Sequence, residues 1–501
     1  MNKNYSIAIA ISVGLSLTSC KSFLDEVPES NRITTTFYQT RLDFYNALMG
    51  GYAGLKLPGV YASGSGALMV LEEIASDNTE FGATRQSSNN SFFEINDLFF
   101  TKSNTAIQDA WRDHYIAIGR LNPIIEKLPG ATLTPSLTQA EKDRFDGEAR
   151  FLRALYYFNL VRLYGEVQLI TAPVNGIYAT ADVPRSPKEE VYKVIINDLT
   201  IAYNVLPATI PATEAGRASR WAARALLGKV YLQMKDYASA LPVLQDVNVN
   251  SGRSLMASFP TVFAANTSYA ANTEYIFAVQ YKSGLLAQGA SAVGSSGGVG
   301  VTQGSDIWSN WAPVGSGFML GPNGGGGGGF NTPTADLASA FEPNDPRKNA
   351  SLLESYPTSS TVMAPGRYAV KFRQQGALNA DADVDFPILR FADVVLMYAE
   401  ALNELGQTSA AVAQLNRIRT RVSLPAKPLS LNQADTKQAI EQERRVELAF
   451  ENQRWPDLIR SGRYVDVMRA KGFTIQPFQN LYPVPQRETD LNAKLSQNPG
   501  Y

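Results

Sequence analysis

The chain of 501 residues sets 45 Lys and Arg against 46 Asp and Glu, and 45% of its side chains are hydrophobic, enough to bury a large core. A net charge of −1 removes the electrostatic reason to expect nucleic acid as a partner. One cysteine excludes an intramolecular disulfide, and one histidine, His114, makes a histidine zinc site or a Ser-His-Asp triad hard to assemble.

Lys3, an apolar run from Ile7 to Leu17, and small residues ahead of Cys20 follow the order of an export signal. The run is too short to span a bilayer. With the sole thiol at its end, the pattern is that of a bacterial lipoprotein signal over residues 1–19, with Cys20 the lipidated first mature residue. Stable anchoring takes more than one acyl chain, which a fully modified lipoprotein cysteine supplies. The mature chain is expected to be held at a membrane surface, since no later stretch is long and apolar enough to cross it.

Amphipathic spacing predicts helices from Thr34 to about Leu57 and from Asn104 to Leu128. A longer one follows the capping box Thr138-Gln139-Ala140-Glu141, gathers Phe151, Leu155 and Phe158 on one face, and ends near Gly165. Ser186, Pro187 and Glu189 mark the next start, with Pro187 at the first helical position and an end near Leu206. Two later segments place small and large residues at the spacings of a tetratricopeptide repeat: Leu227, Gly228, Tyr231, Ala240 and Leu244, then Tyr398, Ala399, Leu402, Ala411 and Leu415. The repeat's opening tryptophan is replaced by Arg224 and Val395, so these are degenerate copies. Between them, Gly284 to Phe330 holds sixteen glycines together with Trp308, Trp311, Phe318 and Phe330. A flexible linker seldom carries tryptophan, so the expectation is an ordered, loop-built surface with a mobile Gly324–Gly329 segment.

The chain resembles the SusD/RagB family of surface glycan-binding lipoproteins. The resemblance rests on Phe23-Leu24-Asp25 after the lipobox, and on Glu148-Ala149-Arg150-Phe151-Leu152-Arg153-Ala154 with Leu163-Tyr164-Gly165. It continues through Ala340-Phe341-Glu342, Asp345-Pro346-Arg347, Ile388-Leu389-Arg390-Phe391-Ala392-Asp393, Glu443-Arg444-Arg445, Glu447-Leu448 and the terminal Asn498-Pro499-Gly500-Tyr501. It implies a mainly α fold: a tetratricopeptide-like scaffold of helical hairpins with a loop-rich, irregular ligand-binding lobe. An N-terminal region 20–270 would carry the first hairpins, and a C-terminal region 271–501 the glycine-rich loop 284–330 and the second. The implied role is non-catalytic, without cofactor or metal. A lipoprotein on the cell outer membrane, facing the exterior, would capture oligosaccharides and deliver them to a SusC-like TonB-dependent transporter. A binder of peptides or glycopeptides in the same kind of complex is the alternative. Glu148, Arg150, Arg153, Arg444, Arg445 and Glu447 are read as scaffold ion pairs.

A saccharide site needs flat aromatic platforms and planar side chains that donate and accept in pairs. Trp308, Asn310 and Trp311 offer that mixture, with at least one tryptophan expected to be exposed; the same rings would also serve to pin the loop to the core. A second loop, Ser76 to Phe93, adds Asp77, Asn78, Phe81 and Arg85, although Asp77 would equally cap a turn. Asp381, Asp383 and Asp385 alternate like the start of a calcium loop, but Phe386 and Ala392 stand where that loop needs glycine and glutamate, so a surface acidic turn is expected.

Overall fold

The computed structural model describes residues 37–61, 65–86, 89–174, 180, 182–264, 269–283, 305–314, 316, 327–374 and 382–501; the export signal and Cys20 lie outside them. Among these residues no helix is long and apolar enough to cross a membrane. Among the described residues, the helices of eight residues or more are α1 (Arg41–Ala53), α2 (Thr105–Lys127), α3 (Gln139–Tyr164), α4 (Lys188–Val205), α5 (Arg220–Gln233), α6 (Tyr237–Asn250), α7 (Phe391–Glu404), α8 (Thr408–Arg421), α9 (Gln433–Glu447) and α10 (Arg454–Ser461). From α2 to α8 each packs on the next, and α6 meets α7 directly across a long sequence interval.

Local chemistry sets the helix starts. Thr40 and Asp43 form a capping box on α1, Asn104 accepts two amide N–H bonds at the head of α2, and Thr138 with Glu141 closes the capping box expected on α3. The start of α4 differs from expectation by one residue: Pro187 is its N-cap, its carbonyl accepting from the Glu190 and Val191 N–H groups at 3.0 and 3.3 Å, while Ser186 bridges to Val167. The two hairpins read from repeat spacing are α5–α6 and α7–α8. Their turns pass through left-handed backbone at Lys235 and Gly406. A Cβ on Gly228 would sit 2.5 Å from Leu244 Cδ2, so glycine is what lets α5 and α6 approach so closely.

Three two-stranded antiparallel sheets complete the fold of the described residues. β1 (Thr79–Glu80) pairs with β3 (Thr332–Pro333), and β2 (Tyr275–Val279) pairs with β6 (Phe386–Arg390). β4 (Leu352–Pro357) and β5 (Met363–Ala369) form a hairpin. β2 and β6 are buried along their whole length, and β6 runs straight into α7.

At that junction lies a buried ionic hub. Arg390 pairs with Glu274, Glu447 and Glu451; Arg347 with Asp345, Glu443 and Glu447; Arg421 with Glu274 and Glu447; and Lys371 with Glu451. Charges withdrawn from water persist only when partnered this fully. The expected scaffold pairs form as well. Arg144 and Arg217 reach Glu148, Arg150 and Arg153 converge on Asp198, and Arg444 bridges Asp393 and Asp457.

Candidate functional site

The two loops singled out separately in the sequence form one surface. Phe81 packs on Phe92, Phe93 and Phe330 at ring-centroid distances of 5.3, 4.8 and 4.6 Å, and the Gly82 N–H donates to the Gly329 carbonyl at 2.9 Å. The last glycines of the run are packed, contrary to the expected mobility. The N–H groups of Gly328, Gly329 and Phe330 donate to the Ser309, Ala312 and Asn310 carbonyls at 3.1, 2.8 and 2.9 Å. A Cβ on Gly327 would lie 2.2 Å from the Pro313 carbonyl oxygen, so glycine is required by close backbone contact. Gly324 to Gly326 lie outside the described residues.

Both tryptophans sit on a one-turn helix, Ile307–Trp311, and both are buried, Trp308 at 4% and Trp311 at 2% exposure. The expectation of an exposed platform fails because the covering groups come from distant chain. Trp311 faces Phe372 and Phe450 at 5.7 and 6.2 Å and belongs to the main core. Trp308 instead joins Ala312 and Tyr368 in a separate cluster beneath the β4–β5 hairpin, bordered by Leu353, Tyr356 and Val370. Its ring lies 6.3 Å from that of Tyr368, which is 6.1 Å from Tyr356, and the exposed Arg373 guanidinium stands 5.3 Å over it. The Trp308 Nε1–H is buried without a hydrogen-bond partner. Burial raises the proton affinity of Tyr368 above that of an ordinary phenol. Asn310 is half-buried.

Asp77, Asn78 and Phe81 are buried too, and so are corrected as exposed contacts. Asp77 receives Arg454 at 2.7 and 2.9 Å and Arg445 at 2.9 Å. Burial pushes its carboxyl up, but the two guanidiniums outweigh that and hold it below its usual range. Asn78 Oδ1 accepts from Arg445 Nε at 2.9 Å. Arg85 is exposed, paired with Asp97 and lying over Phe93 at 4.5 Å. Of the seven expected contacts, therefore, Arg85 is open to solvent and Asn310 partly so.

The acidic turn has a structural task at the base of the loop. Asp383 accepts from the Ser283 N–H at 2.7 Å and hydroxyl at 2.8 Å, Asp385 accepts from the Tyr281 N–H at 3.1 Å, and Ser305 bridges Ala382. Residues 382–385 thus pin the chain on both sides of segment 284–304; Asp381 lies outside the described residues. Burial raises Asp385 to about 6. Among the described residues no cluster of three or more His, Cys, Asp or Glu side chains is placed to hold a metal. His114 is fully buried, its Nδ1 2.6 Å from the Ala110 carbonyl and its Nε2 3.2 Å from Asn159. Burial lowers it to about 4.

Sequence reading missed Tyr356 and Tyr368, whose only local signal is a β-type run broken by Thr358 to Thr361. It also missed a cleft of about 620 Å³, open to solvent, on the scaffold side. Tyr237, Glu400, Glu404, Lys437, Arg460 and Arg463 line it, and its charges are largely paired: Arg460 with Glu400, Lys437 with Glu404 and Arg463 with Glu441. With one aromatic ring among ion pairs, it lacks the platforms a saccharide needs.

Residues 22–232 match the family described as starch-binding associating with outer membrane, and residues 354–501 match the SusD family. The chain is 26% identical to SusD-like protein P25 of Formosa agariphila, over 99% of this chain and 98% of that one. It is 26% identical to the starch-binding protein SusD of Bacteroides thetaiotaomicron, over 74% and 75% of the two chains. A laminarin binding SusD-like protein superposes with a TM-score of 0.78 at 28% identity, covering 93% of this chain and 100% of that one. Surface glycan-binding protein A from Bacteroides thetaiotaomicron, in complex with laminarihexaose, shares the fold with a TM-score of 0.76 at 20% identity, over 92% and 100% of the chains.

Proposed function

The chain belongs to the SusD family, and from that membership we propose that it is a non-catalytic, surface-anchored glycan-binding subunit. In this reading Cys20 carries the lipid that holds the protein on the outer face of the outer membrane. The lobe around Trp308 captures oligosaccharides, and the scaffold side, with its ion-paired cleft, rests on a TonB-dependent transporter that receives them.

The observation that carries the reading is the separate aromatic cluster. Trp308, Tyr356 and Tyr368 lie apart from the main core, and neither the Trp308 N–H nor the tyrosine hydroxyls have a hydrogen-bond partner among the described residues. Core aromatics in this protein behave otherwise: the Tyr156, Tyr157 and Tyr164 hydroxyls each donate to a backbone carbonyl, at 2.8, 2.7 and 2.6 Å. Tyr356 is half-buried, so its ring and unused hydroxyl suit a ligand that combines C–H faces with hydroxyls, with the buried Trp308 and Tyr368 packed behind it. Asn310 and Arg85 would then flank the ligand, whereas Trp311, Asp77, Asn78 and Phe81 support the surface from behind.

Calorimetry of residues 21–501 against plant, host and microbial polysaccharides and a peptide pool tests this. Saturable glycan binding, weakened about tenfold or more by Tyr356→Ala or Trp308→Ala in folded protein, is expected. Heat from peptides alone would replace glycan with peptide as the cargo.

A further inference from the structure

Arg373 is an exposed guanidinium that makes neither an ion pair nor a side-chain hydrogen bond among the described residues, yet it is held over Trp308. Its surroundings are not short of charged partners. Arg367, on the neighbouring β5, donates to the Pro333 carbonyl at 2.7 Å and lies 3.6 Å from Glu80. Glu354, on β4, is met by Lys348 at 3.1 Å. Those pairs leave the Arg373 guanidinium, which carries five N–H donors, without a carboxylate among the described residues. It stands 5.3 Å from the centre of the Trp308 ring, a cation–π contact that restrains it while its exposed donors stay open to solvent. Arg373 is also near enough to Tyr368 to ease loss of that phenol's proton, so the tyrosine lies within its field.

We infer that the saccharide bound here carries anionic groups, carboxylate or sulfate ester, and that Arg373 selects for them by forked, charge-assisted hydrogen bonds. This rests on the reading of the lobe as a glycan surface. A neutral polysaccharide would leave the exposed Arg373 donors without a charged acceptor. Hydrogen bonds to an ionised acceptor are about twice as strong as neutral ones, which turns the arrangement into discrimination.

The test uses the mature chain with three probes: laminarin as the neutral glycan, polygalacturonate oligomers as carboxylated ones and carrageenan oligomers as sulfated ones. Affinities are measured at low salt and at about 0.5 M salt, where surface charge attraction is screened. Expected is tighter binding of one anionic class than of laminarin, weakened about tenfold by Arg373→Gln and far less salt-dependent in that variant. The carboxylated and sulfated arms identify which anion is meant. Lys193→Gln, which removes an exposed charge far along α4, should leave every affinity unchanged. Laminarin bound as tightly as either anion, with Arg373→Gln without effect, would overturn the inference while leaving the lobe as a glycan site. Loss of binding to all three probes on Tyr356→Ala but not on Arg373→Gln would do the same. Binding of none of the three, with heat from peptides, would overturn the inference together with the reading beneath it.

Discussion

Two arginines, one ending β6 and one ahead of that strand in the chain, show how differently the two parts of this protein are built. Arg390, 1% exposed, meets Glu274, Glu447 and Glu451, whereas Arg373, in the lobe, meets no carboxylate among the described residues. The hub closes its charges on one another; Arg373 keeps its donors free of carboxylates among the described residues. A pair of tryptophans repeats the contrast at close range: Trp311 is locked between Phe372 and Phe450, and Trp308 is set in a small cluster of its own. Full partnering holds the hub's charges in the interior, whereas the exposed guanidinium keeps donors available to a ligand.

The contrast can be broken most forcefully at the hub. Arg390→Ala leaves three buried carboxylates undercompensated and should cost about 3–5 kcal/mol in chemical denaturation. A loss below about 1 kcal/mol would show that the hub is dispensable.

A second expected effect follows from His114. Its native value of about 4 lies below the ordinary 6.5, so between those values the unfolded chain binds a proton that the native chain refuses. The stabilisation is complete above pH 6.5 and is lost as the pH falls toward 4, by about 3 kcal/mol in all. Because the chain has one histidine, its ring protons are a single reporter in NMR. They should hold still from pH 7.5 down to about 5; a midpoint near 6.5 would mean that water reaches the scaffold interior.

The tryptophans sharpen the comparison. Trp311→Ala should cost about 3–5 kcal/mol of stability, the range for a core aromatic. Trp308→Ala should cost about half as much and abolish glycan binding in protein that still melts cooperatively. Equal stability losses with binding intact would place both rings in the scaffold's service. The smallest effect is expected at Arg85. Breaking its exposed pair with Asp97 should change stability by less than about 1 kcal/mol, so any loss of glycan affinity in Arg85→Ala would report contact and not folding.

What could be read from the sequence depended on how far each residue's partner lies along the chain. The capping box at Thr138 and the nesting of Gly228 against Leu244 are local, and both were legible. Asp77 was not, because the groups that bury it, Arg445 and Arg454, come from near the other end of the chain and nothing in its own loop announces them. Trp308 and Trp311 look alike in sequence. Only the arrival of Phe372 and Phe450 beside one, and of Tyr356 and Tyr368 beside the other, separates their roles. Arg444 and Arg445 were legible as ion-pair residues but not as to partner, so the part Arg445 plays in holding the loop from Ser76 to Phe93 was hidden.

The staple formed by residues 382–385 has an evolutionary consequence. With Ser283 tied to Asp383 and Ser305 to Ala382, both mouths of segment 284–304 are set by one short strip of chain, independent of what lies between. Doubling the length of a loop closed at fixed ends costs only about 0.6 kcal/mol. Insertions or deletions within that interval would therefore cost its two fixed ends little, and recombination there would leave the staple itself intact.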